Sequence, residues 1–161
     1  MKEESRMLVI PSQTENISVE KVTERLCNSN ILKIFKTEKV LKYGAEIMKV
    51  SVDIKGRIYD VFLSLTDVMI PDYFRTEHFF SDLDFHKIDS IKYSLAVEID
   101  YKDQFLTTYH DQLKIIDCIV PDKLAVIDIP SEKILSGKWV KLAAQSEVPP
   151  SPKYLFTVKP G

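Results

Sequence analysis

Alternation of apolar and polar residues is the clearest pattern in this chain, and it predicts a β-hairpin around Lys55 and Gly56. A two-residue turn there places Val52 opposite Tyr59, so the apolar sets of both strands face the same side of the sheet. The register of this hairpin is therefore predicted by its own periodicity. The apolar positions before and after the turn are Met48, Val50, Val52, Ile54, Tyr59, Val61, Leu63 and Leu65.

Five further segments have the length and apolar content of strands. Residues 7–10 are an unbroken apolar run stopped by Pro11, which is typical of a strand covered on both faces. Residues 31–35 suit a strand, which residues 37–43 either extend or leave in a turn. The remaining three are the alternating segment 93–100, the mostly apolar segment 124–129 and the final segment 154–159.

Two segments have clear helical periodicity. The first begins after Ser18, whose side chain can cap the helix, and ends at residues 28–30. The second runs from about Asp103 to Ile119 and lies between the strands 93–100 and 124–129. We expect a right-handed crossover that pairs these two strands in parallel. The apolar stripe of the second helix is Leu106, Tyr109, Leu113, Ile116 and Val120.

A third helix is predicted to begin at Ser131, with Leu135, Trp139, Leu142 and Ala143 on one face and Gly137 as a weak point. Strands and helices in this order predict an α+β fold, in which three helices pack on a mixed or antiparallel sheet. Two ferredoxin-like halves are a finer expectation.

The length of 161 residues fits one domain, and we predict a single domain over residues 1–161. An alternative division has two lobes, residues 1–66 and 93–161, joined by an irregular aromatic segment at residues 67–92.

Composition and net charge argue against some classes of partner and some cellular locations for this protein. The net charge is -2, with 29% charged residues spread along the chain, which argues against nucleic acid or an anionic membrane as a partner. Apolar runs near the N-terminus are too short for a signal peptide, so a cytoplasmic protein is expected. Cys27 and Cys118 have no CxxC spacing, and we expect buried free thiols.

Segment 67–92 is the strongest candidate for contact with a ligand or partner, because it combines aromatic residues with two of the three histidines. Its carboxylates and imidazoles match no known metal-binding spacing, so no metal and no cofactor are predicted. In the structural alternative, Phe79, Phe80 and Phe85 tether a long connection to the core and its charged residues are in water. The predicted contact residues are Tyr73, Phe74, His78, Phe79, Phe80 and His86.

No catalytic residue is predicted, since the common nucleotide and hydrolase motifs are absent from the sequence. His110 and Cys118 are eight positions apart, about 12 Å along a helix, too far for a nucleophile and base pair. We expect His110 at the surface or boundary. Asp128, between Ile127 and Ile129, has to be hydrogen-bonded, paired or at a sheet edge.

Two functional hypotheses follow from these patterns. The first is a binding or protein-interaction module that recognises a protein partner or a small ligand. The second is a hydrolase-like enzyme with a His/Asp site in or near residues 67–92, using His78, His86 or Asp128. Two histidines and a carboxylate lining one pocket would favour the enzyme.

The C-terminal third carries a resemblance to a known family. Residues 124–130, 135–144 and 148–158 resemble the bacterial domain of unknown function 4026 family, and the resemblance covers roughly residues 93–159. It implies bacterial origin and similarity to the N-terminal portion of a longer protein. The resemblance implies no activity and no catalytic residues.

Overall fold

The computed structural model describes residues 4–12, 17–42, 44–67, 88, 91–100, 105–129 and 133–146. These residues form seven strands and three helices. The strands are β1 (Glu4–Pro11), β2 (Lys33–Lys42), β3 (Ala45–Ile54), β4 (Arg57–Asp67), β5 (Tyr93–Asp100), β6 (Lys123–Asp128) and β7 (Lys133–Ser136). The helices are α1 (Val19–Cys27), α2 (Phe105–Ile119) and α3 (Gly137–Gln145).

The strands form one antiparallel sheet in the order β2-β3-β4-β5-β1-β6-β7. This confirms the α+β class, whereas ferredoxin-like halves are not confirmed. The division of residues 1–161 into one domain or two lobes stays a prediction.

The expected parallel pair is wrong, because β1 lies between β5 and β6 and pairs antiparallel with both. The residues of β1 explain its central place. Met7 and Val9 are buried on one face of the sheet and Leu8 and Ile10 on the other, so this strand needs cover on both sides. An unbroken apolar run thus decides which strand occupies the middle.

The hairpin of β3 and β4 has the predicted register. Val52 pairs with Tyr59, and the pairs Val50 with Val61 and Met48 with Leu63 follow. Lys55 and Gly56 both have positive φ, 51° and 88°, as a two-residue turn with the right strand twist requires. The Gly56 amide donates to Asp53 Oδ1 at 2.7 Å, which fixes the turn. Strand β2 extends to Lys42, so the longer of its two predicted forms is confirmed.

The main core lies between the sheet and the three helices. Ser18 caps α1 as predicted, since its Oγ accepts the Lys21 amide at 3.1 Å. Tyr109, Leu113 and Ile116 of the predicted α2 stripe are fully buried against the sheet. No helix in the described ranges is long and apolar enough to cross a membrane.

A smaller apolar cluster covers the opposite face of the sheet. It includes Ile88, which is fully buried although it belongs to the segment predicted to be irregular. This segment therefore contributes to the core at Ile88 at least. Phe79, Phe80 and Phe85, the residues expected to tether the segment, lie outside the described residues, so the tether stays a prediction. The cluster comprises Leu8, Ile10, Ile88, Ala96, Ala125, Ile127 and Ile134.

The predicted start of the third helix is wrong. Residues 133–136 form β7, which pairs with β6, and α3 begins only at Gly137. Its N-cap is Ser136, whose Oγ accepts the Trp139 amide at 3.1 Å. Gly137 is the first residue of α3, where it has a packing role. A Cβ here would collide with the Lys123 carbonyl oxygen, so glycine permits the close approach of α3 to β6. The predicted cap Ser131 lies outside the described residues.

Candidate functional site

The predicted contact residues cannot be placed in a site. Tyr73, Phe74, His78, Phe79, Phe80 and His86 all lie outside the described residues, and their role stays a prediction. Within the described ranges, no group of three or more His, Cys, Asp or Glu side chains could hold a metal ion.

The structure instead has a groove, formed where four separate segments meet. They are the loop after α1, the β3–β4 turn, the C-terminal half of α2 and the end of α3. Its volume is about 750 Å³, within the range of small-molecule sites. Sequence reasoning missed this groove because its segments are far apart in the chain and form no motif. The lining residues are Ser29, Asn30, Ile31, Ile54, Lys55, Lys114, Asp117, Cys118, Ala144, Gln145 and Ser146.

The wall made by the loop after α1 is held by hydrogen bonds. The Ser29 amide donates to Leu26 O at 3.2 Å, and Ser29 Oγ accepts the Ile31 amide at 3.2 Å. Arg25 Nη1 donates to the carbonyl oxygen of Ile119 at 2.8 Å, which joins the end of α1 to the end of α2. The shape of this wall is therefore part of the folded structure.

The floor of the groove is apolar. Ile54 at the end of β3 is 1% exposed, and Ala144 on α3 is 9% exposed. Ile31 is 44% exposed and lines the groove, so a little under half of its surface is available there. An apolar surface of this kind can bury the body of a small organic molecule.

The charges around the groove are unequal. Asp117 is compensated, because Lys123 Nζ donates to its Oδ1 at 3.0 Å. Burial lowers the pKa of Lys123, and Asp117 opposes that shift. Lys55 and Lys114 form no ion pair with any described residue. The rim thus carries an excess of positive charge.

Cys118 at the groove does not provide a reactive thiolate. Cys118 is half-buried, burial raises the pKa of its thiol, and Sγ donates to Arg25 O at 3.8 Å. A raised pKa leaves less thiolate at neutral pH. The expectation of two buried thiols is wrong for Cys27, which is exposed because Val22 and Leu26 occupy the buried face of α1.

His110 is close to the groove but serves the fold. It is 3% exposed, so the surface or boundary position predicted for it is wrong. Its Nε2 donates to Ala143 O at 2.8 Å and joins α2 to α3. Burial lowers the pKa of His110, and the charge of Lys114 adds to this effect, so the ring is neutral when it makes this bond.

The free energy of unfolding should fall in acid because the buried His110 resists protonation in the folded state. The unfolded chain takes up this proton near the ordinary pKa of 6.5, whereas the folded state takes it up only at lower pH. Stability is therefore fully present above about pH 7 and falls as the pH drops towards the folded pKa. We expect His110→Gln to flatten the pH dependence of stability measured by urea unfolding at several pH values from above to below the ordinary histidine pKa. Because the other two histidines are present in both proteins, an equal slope in the two would contradict this assignment.

The buried carboxylate Asp128 has a charged neighbour, as predicted. It is fully buried and lies opposite Lys133 in the β6–β7 pair. Burial lowers the pKa of Lys133 to about 8, and the charge of Asp128 opposes that shift. Asp128 does not line the groove.

Family comparison agrees with the resemblance found in the C-terminal third. A family model described as protein of unknown function (DUF4026), N-terminal, matches residues 5–150. The chain belongs to the DUF4026 family. The match covers every strand and helix of this DUF4026 domain apart from the first residue of β1, and it includes the whole groove. Comparisons with curated proteins and with solved structures each found no match.

Proposed function

We propose that this DUF4026 domain is a non-catalytic binding module and that the groove at the ends of α2 and α3 takes a small ligand. The observation that carries the proposal is the groove itself. Its volume of about 750 Å³, its apolar floor and its polar rim are the features of a small-molecule site.

Binding is favoured over catalysis by the state of the nearby titratable groups. His110 donates to a backbone carbonyl, Asp117 binds Lys123, and Asp111 binds Arg57. A general acid or base has to reach the substrate with a transferable proton, and these groups are held in bonds that serve the fold. The alternative hydrolase depends on His78 and His86, and no observation of the described residues favours it.

The proposed setting is the cytoplasm of a bacterium. The resemblance in the C-terminal third implies bacterial origin. The thiols of Cys27 and Cys118 are both free, which fits a reducing compartment.

A ligand screen with a blocked groove tests the proposal. We expect at least one compound of a small-fragment panel to raise the melting temperature of the full chain in a saturable way. At 100-fold excess over Kd the stabilisation is about 2.7 kcal/mol, or about 5 to 10 °C for a chain of this size. Ile31→Trp fills the groove from its exposed side and should abolish the shift.

Leu142→Trp is the matched control, because Leu142 is 69% exposed on α3 and does not line the groove. This variant should keep the shift. A panel without any saturable shift, or a shift that survives in Ile31→Trp, would contradict binding in the groove.

A further inference from the structure

The groove carries two lysines from different elements. Lys55 lies at the tip of the β3–β4 turn, whose backbone is fixed by the bond from the Gly56 amide to Asp53. Lys114 lies on α2, and its positive charge helps to lower the pKa of the buried His110. The acidic residue of the groove, Asp117, is already bonded to Lys123. An incoming anion therefore meets a local excess of positive charge.

The C-terminal ends of helices carry partial negative charge and favour cations. Because α1 and α3 both end beside the groove, their ends could offset the positive charge of the two lysines. Their carbonyl groups are occupied, however. Leu142 O accepts the Ser146 amide at 3.1 Å, and Ala143 O accepts His110 Nε2 at 2.8 Å. At α1, Glu24 O accepts the amide of the C-cap residue at 3.1 Å. With these carbonyls bonded, the two formal charges of the lysines outweigh the partial charges of the helix ends.

Charge alone does not describe the ligand, because the same groove has an apolar floor. Ile54 and Ala144 are almost completely buried, and Ile31 is partly exposed beside them. An inorganic anion would leave the exposed part of Ile31 in contact with water. A molecule with an apolar body would cover it and gain about 25 cal/mol for each Å² of apolar surface removed from water.

We infer that the ligand of the groove is a small monocarboxylic acid in its ionised form. Its apolar body lies on the exposed part of Ile31, beside the small exposed area of Ala144, and its carboxylate is held by Lys55 and Lys114. The inference rests on the proposed function, because it names the ligand class of the same groove.

A matched pair of probes tests the inference. Hexanoate and hexanamide have the same apolar body and differ in charge, and inorganic phosphate has charge without the body. Each is titrated into the full chain at low ionic strength and followed by NMR shifts of the Ile31 and Ala144 methyl groups. We expect hexanoate to bind about tenfold more tightly than hexanamide, with a difference that shrinks as salt is added.

Charge-removing variants test whether the preference for hexanoate comes from Lys55 and Lys114 or from the overall surface charge. The double variant Lys55→Gln with Lys114→Gln should lose the preference for hexanoate. Lys138→Gln removes an equal charge from an exposed position on α3 outside the groove and should keep the preference.

The outcomes distinguish this inference from the proposed function. Equal affinity for hexanoate and hexanamide overturns the carboxylate assignment and leaves binding in the groove intact. Phosphate binding as tightly as hexanoate overturns the role of the apolar floor. No saturable shift with hexanoate overturns the ligand class, while the fragment panel with Ile31→Trp still decides the proposed function.

Discussion

Asp111→Ala is expected to lower the free energy of unfolding by about 3 kcal/mol, the lower end of the range for breaking a buried ion pair. Asp111 on α2 is 1% exposed and accepts two bonds from Arg57, from Nε at 2.7 Å and from Nη2 at 3.0 Å. It also accepts the Tyr59 hydroxyl at 2.5 Å. Removing the carboxylate leaves the guanidinium and the buried hydroxyl without their acceptor. Urea unfolding monitored by circular dichroism measures the change.

The lower end of the range applies because the side chain of Arg57 is 35% exposed and can regain contact with water. Two variants serve as controls. Tyr59→Phe removes one hydroxyl and should lower stability by about 1 kcal/mol. Asp60→Ala removes a carboxylate that is 45% exposed and should lower stability by about 1 kcal/mol at most. Equal losses for Asp60→Ala and Asp111→Ala would contradict the role assigned to this network.

Gly137→Ala is expected to destabilise the fold by about 2 kcal/mol or more, the range for inserting a group where no space exists. The added Cβ would collide with the backbone carbonyl oxygen of Lys123, and backbone cannot turn aside as a flexible side chain can. Either α3 or β6 has to move. Thermal and urea unfolding both report the effect.

The sign of this change is diagnostic. Alanine is a better helix former than glycine by about 1 kcal/mol, so without the collision the substitution would be stabilising. The neighbouring variant Lys138→Ala changes an exposed residue of the same helix and should leave stability within about 0.5 kcal/mol. A stabilised Gly137→Ala protein would show that α3 and β6 are not in close contact.

The periodicity of apolar residues was sufficient to predict those parts of the fold that form between segments close together in the chain. The hairpin around Lys55 and Gly56 could be predicted in register, because its turn and both apolar sets lie within twenty residues. The α2 stripe could be predicted because its large apolar residues recur at helical spacing and pack into the main core. Burial of the polar residues Thr108, His110, Asp111 and Gln112 on the other faces of α2 could not be read from this pattern.

Local patterns failed where distant segments compete. The pairing of β1 with β5 and β6 joins residues about 90 to 120 positions apart, and alternation alone does not say which strand becomes the neighbour. Strand β7 has four residues, and helical spacing around Trp139 concealed it until its pairing with β6 was visible. The groove was beyond prediction for the same reason, since Ile31, Lys55, Lys114 and Ala144 meet only in the folded chain.

The central place of β1 has a consequence for how the protein is made. This strand leaves the ribosome before either of its neighbours, and β6 is complete only when residue 128 has been translated. Met7 to Ile10 are an apolar segment that lacks a strand partner until β5 emerges, and its second edge stays unpaired until β6 does. Exposed apolar segments with unpaired edges are prone to aggregate during folding. The sheet around β1 can therefore be completed only after residue 128 has been translated, and such long-range pairing is slow to form.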